Sequence, residues 1–256
     1  HKTKLDKLYI ATFGTGGTYE DLAMEIIDYF TKEDSSDIKD VLTQGSQGNI
    51  KLVNQEAGWF GFCQSDVYNS LKSKNPNVVV VDTLYSEKLH LFYKIVSNQR
   101  ETLEIDSNQN LAILEKLKNC NIGEKESGTY FTMHKLIQIL NGVWKSNIKL
   151  NTDEAHTNTV GSSIDALSND SVNSTAFVTG APDKVVETKL ITHVNKKGDN
   201  YGLIGISENL SDTFKSHGYK IDKIEEDTYS MIEEDVNVIS VSALLIVNKE
   251  TPKHYI

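Results

Sequence analysis

Short apolar runs alternate with amphipathic runs along almost the whole chain. Short apolar runs are typical of strands, and apolar residues that recur every three or four positions are typical of helices. We predict strands at KLYIAT, IKDVLT, WFGFCQ, NVVVVDTL, LHLFYKIV, NSTAFVTG, YGLIGI and VISVSALLIV. We predict helices over residues 19–30, 47–55, 109–118, 129–140, 161–168 and 183–188. This alternation predicts an α/β fold.

Size, charge and cysteine usage narrow the possible functions. At 256 residues the chain has room for one large domain or two small ones. The formal net charge of −10 argues against nucleic acid and anionic membranes as partners. No apolar run reaches the roughly 20 residues that cross a bilayer. The chain begins at His1 rather than Met, so we expect a processed N-terminus. For Cys63 and Cys120 we predict two buried free thiols rather than a disulfide.

A glycine-rich stretch, GTGGTYED at residues 14–21, separates the first predicted strand from the first predicted helix. It lacks the lysine and the spacing of a P-loop, and it is not the G-x-G-x-x-G of dinucleotide-binding proteins. A helix N-terminus presents free N–H groups and a partial positive charge, which suit a carboxylate or a phosphate. The alternative is a tight turn in which Thr18 only caps the helix.

The second half of the chain repeats this arrangement at Ser127-Gly128-Thr129, a small hydroxylated loop that opens a predicted helix. Two such helix N-termini favour ligand binding over a purely structural role. Arg100, the only arginine, lies in the polar stretch SNQRETLE, which indicates an exposed turn. An anion clamp would therefore use backbone N–H groups, hydroxyls and helix dipoles, with a lysine such as Lys125.

Six segments, in this order, resemble the TAXI-type solute-binding proteins of TRAP (tripartite ATP-independent periplasmic) transporters. The segments are IATFGTGGTYEDLA, GFCQSDV, LYSEKLHLFYKI, IGEKESGT, TAFVTGAPDKVV and DTYSMIEEDVNVISVSALLIV. The resemblance implies a two-lobed periplasmic-binding-protein (type II) fold with a ligand cleft between the lobes. Lobe 1 would comprise residues 1–92 plus 239–256, and lobe 2 residues 93–238. It also implies a periplasmic or other extracytoplasmic location and a TRAP-type membrane permease as partner. The family continues into terminal helices, whereas this chain stops at NKETPKHYI.

The same resemblance implies where the ligand binds. Four short segments match the family's ligand loops, at residues Gly16, Gly17, Thr18, Tyr19, Gln64, Ser65, Asp66, Ser127, Gly128, Thr129, Thr179 and Gly180. We add Tyr85, because its aromatic face and that of Tyr19 could cover the aliphatic part of a ligand. Pro182 is expected at the first position of the following helix, since proline has no N–H to leave unpaired.

The expected ligand is a small carboxylate or amino acid, with glutamate ahead of glutamine and 2-oxoglutarate. An α-ammonium group would need an acceptor, which Asp66, Glu126 or a carbonyl of the glycine loop could supply. Glu126 stands where the family has a small residue, and a Glu126 carboxylate facing the ligand would favour a neutral or cationic one. We expect a monomer that needs no cofactor.

Catalytic and metal-binding signatures are missing from the sequence. His90, His134 and His156 have no ligand partner three or four residues after them, and G-x-S-x-G, H-E-x-x-H and C-x-x-C do not occur. The acidic stretch KIEEDTYSMIEED is expected to be a solvated face near the cleft rim. We therefore predict a protein that is not an enzyme and that captures its ligand by lobe closure. The alternatives are a ligand-sensing or surface immunogenic protein of the same fold without transport, and an enzyme acting on a phosphorylated small molecule at the glycine loop.

Overall fold

The computed structural model describes residues 5, 7–13, 18–34, 37–96, 102–157 and 159–256. The chain divides into two compact units. Unit 1 contains the described residues of His1–Ser86, Glu126–Gly128 and Ser242–Ile256, and unit 2 those of Glu87–Lys125 and Thr129–Val241. The lobe boundaries expected from the sequence stay a prediction.

Strands and helices alternate along the described residues, as the sequence predicts. The strands are β1 Leu8–Phe13, β2 Ile38–Thr43, β3 Trp59–Gln64, β4 Val78–Ile95, β5 Glu104–Ile105, β6 Cys120–Asn121, β7 Ser174–Thr179, β8 Asn200–Leu203, β9 Gly205–Ile206, β10 Lys220–Ile224 and β11 Val236–Asn248. The helices are α1 Thr18–Tyr29, α2 Ser46–Val53, α3 Ser65–Leu71, α4 Leu111–Lys118, α5 Gly128–Trp144, α6 Val160–Ser168, α7 Lys184–Lys197 and α8 Ser211–Ser216. The α/β prediction is confirmed.

Unit 1 is built on a sheet in which β1 lies between β2 and β3, parallel to both. The C-terminal half of β11 adds an antiparallel strand on the other side of β3, with Ala243 opposite Gln64. All six residues of β3 are buried, as expected for a strand covered on both faces. The core of this unit is aromatic as well as aliphatic, with Tyr19 of α1 stacked on Phe62 at a ring-centroid distance of 5.1 Å.

Unit 2 contains the second half of β4, which pairs antiparallel with β7 and β8. Strand β6 is parallel to β7, β10 is antiparallel to the first half of β11, and β5 and β9 form a separate two-stranded sheet. Two hydrophobic clusters fill this unit. The first includes Met133, Leu136 and Leu140 of α5, which are fully buried because their spacing places them on one face of the helix.

The sequence does not predict β5, β10 or α8, and YGLIGI forms two strands, β8 and β9, rather than one. Four further differences concern β4, α3, α7 and Pro182. The two predicted strands over 77–84 and 89–96 are one strand, β4, because no glycine or proline interrupts the extended run. The segment after β3, which matches one of the family's ligand loops, continues as helix α3. Helix α7 extends to Lys197 rather than residue 188, since Leu190 continues its buried stripe. Pro182 precedes α7 instead of opening it; it follows a cis peptide bond, and Asp183 is the N-cap.

Both cysteines are buried free thiols, as predicted. Burial raises the pKa of the Cys120 thiol to about 12, because a thiolate would be desolvated there. Among the described residues, no helix combines the length and apolar character needed to cross a membrane.

Candidate functional site

In unit 1, β1, β2 and β3 end at the same edge of the sheet because they are parallel. The chain passes from β1 to β2 on one side and then returns to β3 on the other side of β1. Such a change of direction, at the carboxyl ends of parallel strands, is where open α/β sheets usually bind their ligands. The predicted residues of unit 1 lie on the connections that follow these strands.

Gln64 is the last residue of β3 and the N-cap of α3. Its backbone N–H donates to the Ser46 hydroxyl at 3.1 Å, so the start of α2 is tied to the end of β3. The Gln64 side chain packs directly on the α-carbon of Gly128, where an added β-carbon would lie 2.2 Å from the amide carbon. The structure therefore brings two predicted residues, Gln64 and Gly128, into contact.

Ser127, the next predicted residue, is buried and packs against Gly45. Gly45 has a φ of +117°, a backbone conformation that favours glycine, and an added β-carbon there would lie 2.9 Å from the Ser127 α-carbon. The carbonyl of Glu126 accepts from the N–H of Gln47, in the first turn of α2, at 3.0 Å. The N-terminus of α2 is thus occupied by the stretch that carries Ser127.

The Glu126 carboxylate forms an ion pair with Lys51 of α2. Both side chains are about half exposed, at 41% and 56%, so the pair adds little to stability. The Lys51 ammonium does balance the negative charge of the Glu126 carboxylate, which lies next to Ser127 in the chain. The objection that Glu126 disfavours an anionic ligand is therefore weakened, and Lys51 is a second lysine close to this loop, besides Lys125.

The glycine loop leads into α1, which begins at Thr18. Gly16 and Gly17 lie outside the described residues, as does Arg100. Thr18 is exposed, whereas Tyr19 is buried against Phe62. The Tyr85 ring lies 6.4 Å from that of Tyr19 between centroids and is half-buried. The two predicted tyrosines are therefore neighbours, with Tyr19 belonging largely to the core.

Ser65 and Asp66 form the first turn of α3 and are half-buried. The Ser65 hydroxyl accepts from the N–H of Ser242 at 2.9 Å, which fixes α3 to β11. Asp66 accepts from the N–H of Val67, also at 2.9 Å. A serine hydroxyl that accepts one bond still has a hydrogen to donate, so these contacts leave Ser65 able to bind an anion.

In unit 2, Thr129 stands in the first turn of α5. Its hydroxyl accepts from the N–H of Val178, near the carboxyl end of β7, at 2.9 Å. The Thr129 hydroxyl can therefore offer a ligand its hydrogen, while one of its lone pairs is used by the strand. This bond also places the start of α5 beside the predicted turn at Thr179 and Gly180.

Asp183 organises that turn. One carboxylate oxygen accepts from the N–H groups of Val185 and Val186, at 2.9 and 3.0 Å, and so caps α7. The other accepts from the Thr179 hydroxyl at 2.7 Å. Because one side chain joins the end of β7 to the start of α7, Thr179 and Gly180 are held in a closed turn of five residues.

Sequence reasoning missed Lys51, Ser46 and Asp183 as parts of the site. Asp183 carried a usable signal, since aspartate is a favoured N-cap residue and an amphipathic run follows it. Lys51 and Ser46 carried no local signal, because their partners, Glu126 and Gln64, are 75 and 18 residues away in the chain.

The acidic stretch near residue 230 is only partly what the sequence predicts. Glu225, Glu226, Glu233 and Glu234 are exposed, but Tyr229, Met231 and Ile232 belong to the core of unit 2. Among the described residues no group of three or more His, Cys, Asp and Glu could hold a metal ion.

The comparisons with known proteins come from sequence and from structure. The profile of the NMT1-like family matches residues 10–256 of the chain. Among curated proteins, no sequence matches it.

Three solved structures resemble the chain at a TM-score above 0.5 and 10% sequence identity. PhnD1 from Prochlorococcus marinus, in complex with methylphosphonate, has a TM-score of 0.54, covering 98% of this chain and 79% of PhnD1. A structure described as a periplasmic transporter has a TM-score of 0.51, covering 97% and 79%. A mutant of Corynebacterium glutamicum OxyR bound to H2O2 has a TM-score of 0.53, covering 97% and 60%. At this identity the likeness shows the fold alone, which is the predicted periplasmic-binding-protein (type II) fold.

Proposed function

Since the chain belongs to the NMT1-like family, we propose that it is a solute-binding protein that captures a small carboxylate and is not an enzyme. The observation that carries the proposal is the set of groups after the parallel strands of unit 1. There Gln64 contacts Gly128, and Ser127 packs against Gly45 at the start of α2. Such a place in an α/β sheet suits an anionic or polar ligand.

The proposed ligand is glutamate, ahead of glutamine and 2-oxoglutarate, and the proposed type is the TAXI-type binding protein of a TRAP transporter. The sequence resemblance supports the type, and the Glu126–Lys51 pair supports an anionic ligand because it balances the charge beside Ser127. An extracytoplasmic location, a membrane permease as partner, a monomeric state and capture by lobe closure belong to the same proposal.

The proposed binding residues are those inferred from the sequence. Backbone N–H groups at Gly128 and Gly180 and the hydroxyls of Ser127 and Thr129 would hold the carboxylates. Thr179, whose hydroxyl hydrogen is donated to Asp183, would shape the turn that presents Gly180. Gln64, Ser65, Asp66, Tyr19 and Tyr85 would contact the rest of the ligand, together with Gly16, Gly17 and Thr18. A ligand sensor of the same fold is the second candidate, because folds do not fix function and OxyR shares this one.

A thermal-shift panel tests the ligand class, using the twenty amino acids, 2-oxoglutarate, succinate and methylphosphonate. We expect stabilisation by glutamate, because a ligand that binds only the folded state raises the free energy of unfolding. Stabilisation by arginine or lysine, or by methylphosphonate alone, would contradict the proposed ligand.

A matched pair of variants tests the site. Ser127→Ala removes a buried hydroxyl from the proposed site, and Ser163→Ala removes an equally buried hydroxyl from α6, where it donates to its own helix. A charge-assisted hydrogen bond contributes about 1.5–3 kcal/mol, so Ser127→Ala should weaken glutamate binding by roughly 10- to 100-fold in calorimetry. Equal affinities in the two variants would remove Ser127 from the site.

A further inference from the structure

A buried chain of hydrogen bonds crosses unit 2 from β4 to the turn after β7. The ring of His90 is fully buried, and its Nδ1 lies 2.8 Å from the carbonyl oxygen of Lys88. Its Nε2 lies 2.8 Å from the hydroxyl of Tyr229. That hydroxyl in turn accepts from the backbone N–H of Asp183 at 3.0 Å.

The direction of each of these bonds follows from the groups that it joins and from the uncharged His90 ring. A carbonyl oxygen only accepts, so His90 Nδ1 carries a hydrogen and donates it to Lys88. Burial keeps the imidazole neutral, so its Nε2 has no hydrogen and accepts that of the Tyr229 hydroxyl. The Tyr229 oxygen in turn accepts from the backbone N–H of Asp183.

The surroundings keep both rings uncharged and in place. Burial lowers the pKa of His90 to about 4, against weaker opposing effects of the Lys88 carbonyl and the Asp183 charge. Burial also raises the pKa of Tyr229. The Tyr229 ring is fully buried and packs edge-on against His90 and Phe92, at centroid distances of 5.5 and 5.7 Å.

Asp183 connects this series of hydrogen bonds to the candidate site. Its carboxylate holds the Thr179 hydroxyl and caps α7, while its N–H is held by Tyr229. The turn thus has two attachments, one to its own helix and one to a residue 46 positions later in the chain. The second attachment links the Asp183 end of the turn to β4, whereas the Thr179 end is already held by the pairing of β7 with β4.

We propose that Tyr229 and His90 are positioning residues, which hold the turn Thr179–Asp183 in the geometry that receives the anionic group of the ligand. The proposal rests on the proposed function, because it assigns Thr179 and Gly180 to the binding site. Neither Tyr229 nor His90 needs to touch the ligand. Without the Tyr229 hydroxyl, the Asp183 N–H and His90 Nε2 lose their shared partner inside the protein, and the Asp183 end of the turn loses its link to β4.

The test compares two buried tyrosines of the same unit. Tyr229→Phe removes the hydroxyl that links His90 to Asp183. Tyr201→Phe removes a hydroxyl that donates to Asp199 at 3.1 Å, away from the turn. Both rings are fully buried, so both variants lose a buried hydrogen bond at similar risk to folding. A third variant, His90→Gln, keeps an acceptor for Tyr229 in its side-chain amide oxygen.

Glutamate affinity by calorimetry and amide hydrogen exchange at Gly180 and Asp183 are measured on all three variants, and the imidazole nitrogen shifts of His90 on the two tyrosine variants. We expect Tyr229→Phe to weaken glutamate binding about tenfold, to speed exchange at both amides and to change the His90 shifts. Tyr201→Phe should stay within about twofold of the parent, and His90→Gln should retain most of the affinity.

Two results would overturn the proposal: unchanged amide exchange in Tyr229→Phe, or equal losses of affinity in Tyr229→Phe and Tyr201→Phe. A parent protein that does not bind glutamate would instead overturn the proposed ligand. The exchange and nitrogen-shift measurements need no ligand, so they would then decide the positioning role by themselves.

Discussion

Gly45→Ala should destabilise unit 1, because alanine fits neither the backbone nor the space at this position. Gly45 has φ +117° and ψ −154°, a backbone conformation that costs residues other than glycine about 1–3 kcal/mol. The new β-carbon would lie 2.9 Å from the Ser127 α-carbon, a backbone atom that can move only with its loop. Overpacking of this kind destabilises the folded state by about a further 1–3 kcal/mol. Alanine also makes the unfolded chain less flexible, which offsets up to about 1 kcal/mol of this loss. We expect a net loss of about 2–4 kcal/mol.

Urea unfolding measures this loss, with tryptophan fluorescence as the signal. Trp59 lies in unit 1 and Trp144 in unit 2, so a Trp144→Phe background reports on unit 1 alone. A loss of 2–4 kcal/mol should lower the unfolding midpoint by about 1 M urea or more. Circular dichroism on the same samples checks whether the two units unfold together.

Gly142→Ala is the matched control. Gly142 lies in α5, is exposed, and has nothing within 4 Å of an added β-carbon. Because α5 lies in unit 2, this variant is followed through Trp144 in a Trp59→Phe background. Alanine is favoured over glycine inside a helix, so the free energy of unfolding should rise by about 0.5–1 kcal/mol. An unfolding free energy of Gly45→Ala within about 0.5 kcal/mol of the parent would refute the argument from backbone conformation and space.

Two further predictions concern the cap of α7 and the thiols. Asp183→Ala should lower the unfolding free energy by about 1–2 kcal/mol, because it removes the bonds to two backbone N–H groups and to Thr179. Asn110→Ala removes only the bond that caps α4, so it should lower the free energy of unfolding by less. Equal losses of unfolding free energy in urea titrations would contradict the link between Asp183 and the turn. Cys120 should not react with iodoacetamide at pH 8.5 in the folded protein, since the thiolate forms only near a pKa of about 12. Unfolding in urea should expose it, and mass spectrometry showing alkylation before unfolding would contradict its burial.

The sequence predicts the strands of unit 1 closely. Strands β2 and β3 have both predicted ends, because turn residues bound their apolar runs on each side. The prediction of strands and helices fails where an apolar pattern is continuous, as in β4, or where a helix begins with polar residues, as in α3. Local periodicity holds no information on whether an extended run bends or whether a turn closes into a helix.

For the candidate site, the sequence indicates the loops but not the pairing between them. The contact between Gln64 and Gly128 joins residues far apart in the chain, as does the bond between His90 and Tyr229, which are 139 positions apart. Such contacts depend on how the sheets bring segments together. A single sequence therefore identifies Ser127 and Thr179 as candidates and leaves Lys51 and Tyr229 unnoticed.

The position of β11 in unit 1 has a consequence for biosynthesis. Strand β3 pairs on one side with β1, which is made before it, and on the other with residues 243–247, which are made much later. At 5–20 residues per second, a ribosome needs roughly 10–40 s to travel from Gln64 to Ala243. During that time a strand whose residues are all buried in the folded protein has an open edge that invites pairing with other chains. We therefore expect the nascent chain to depend on chaperones until β11 emerges.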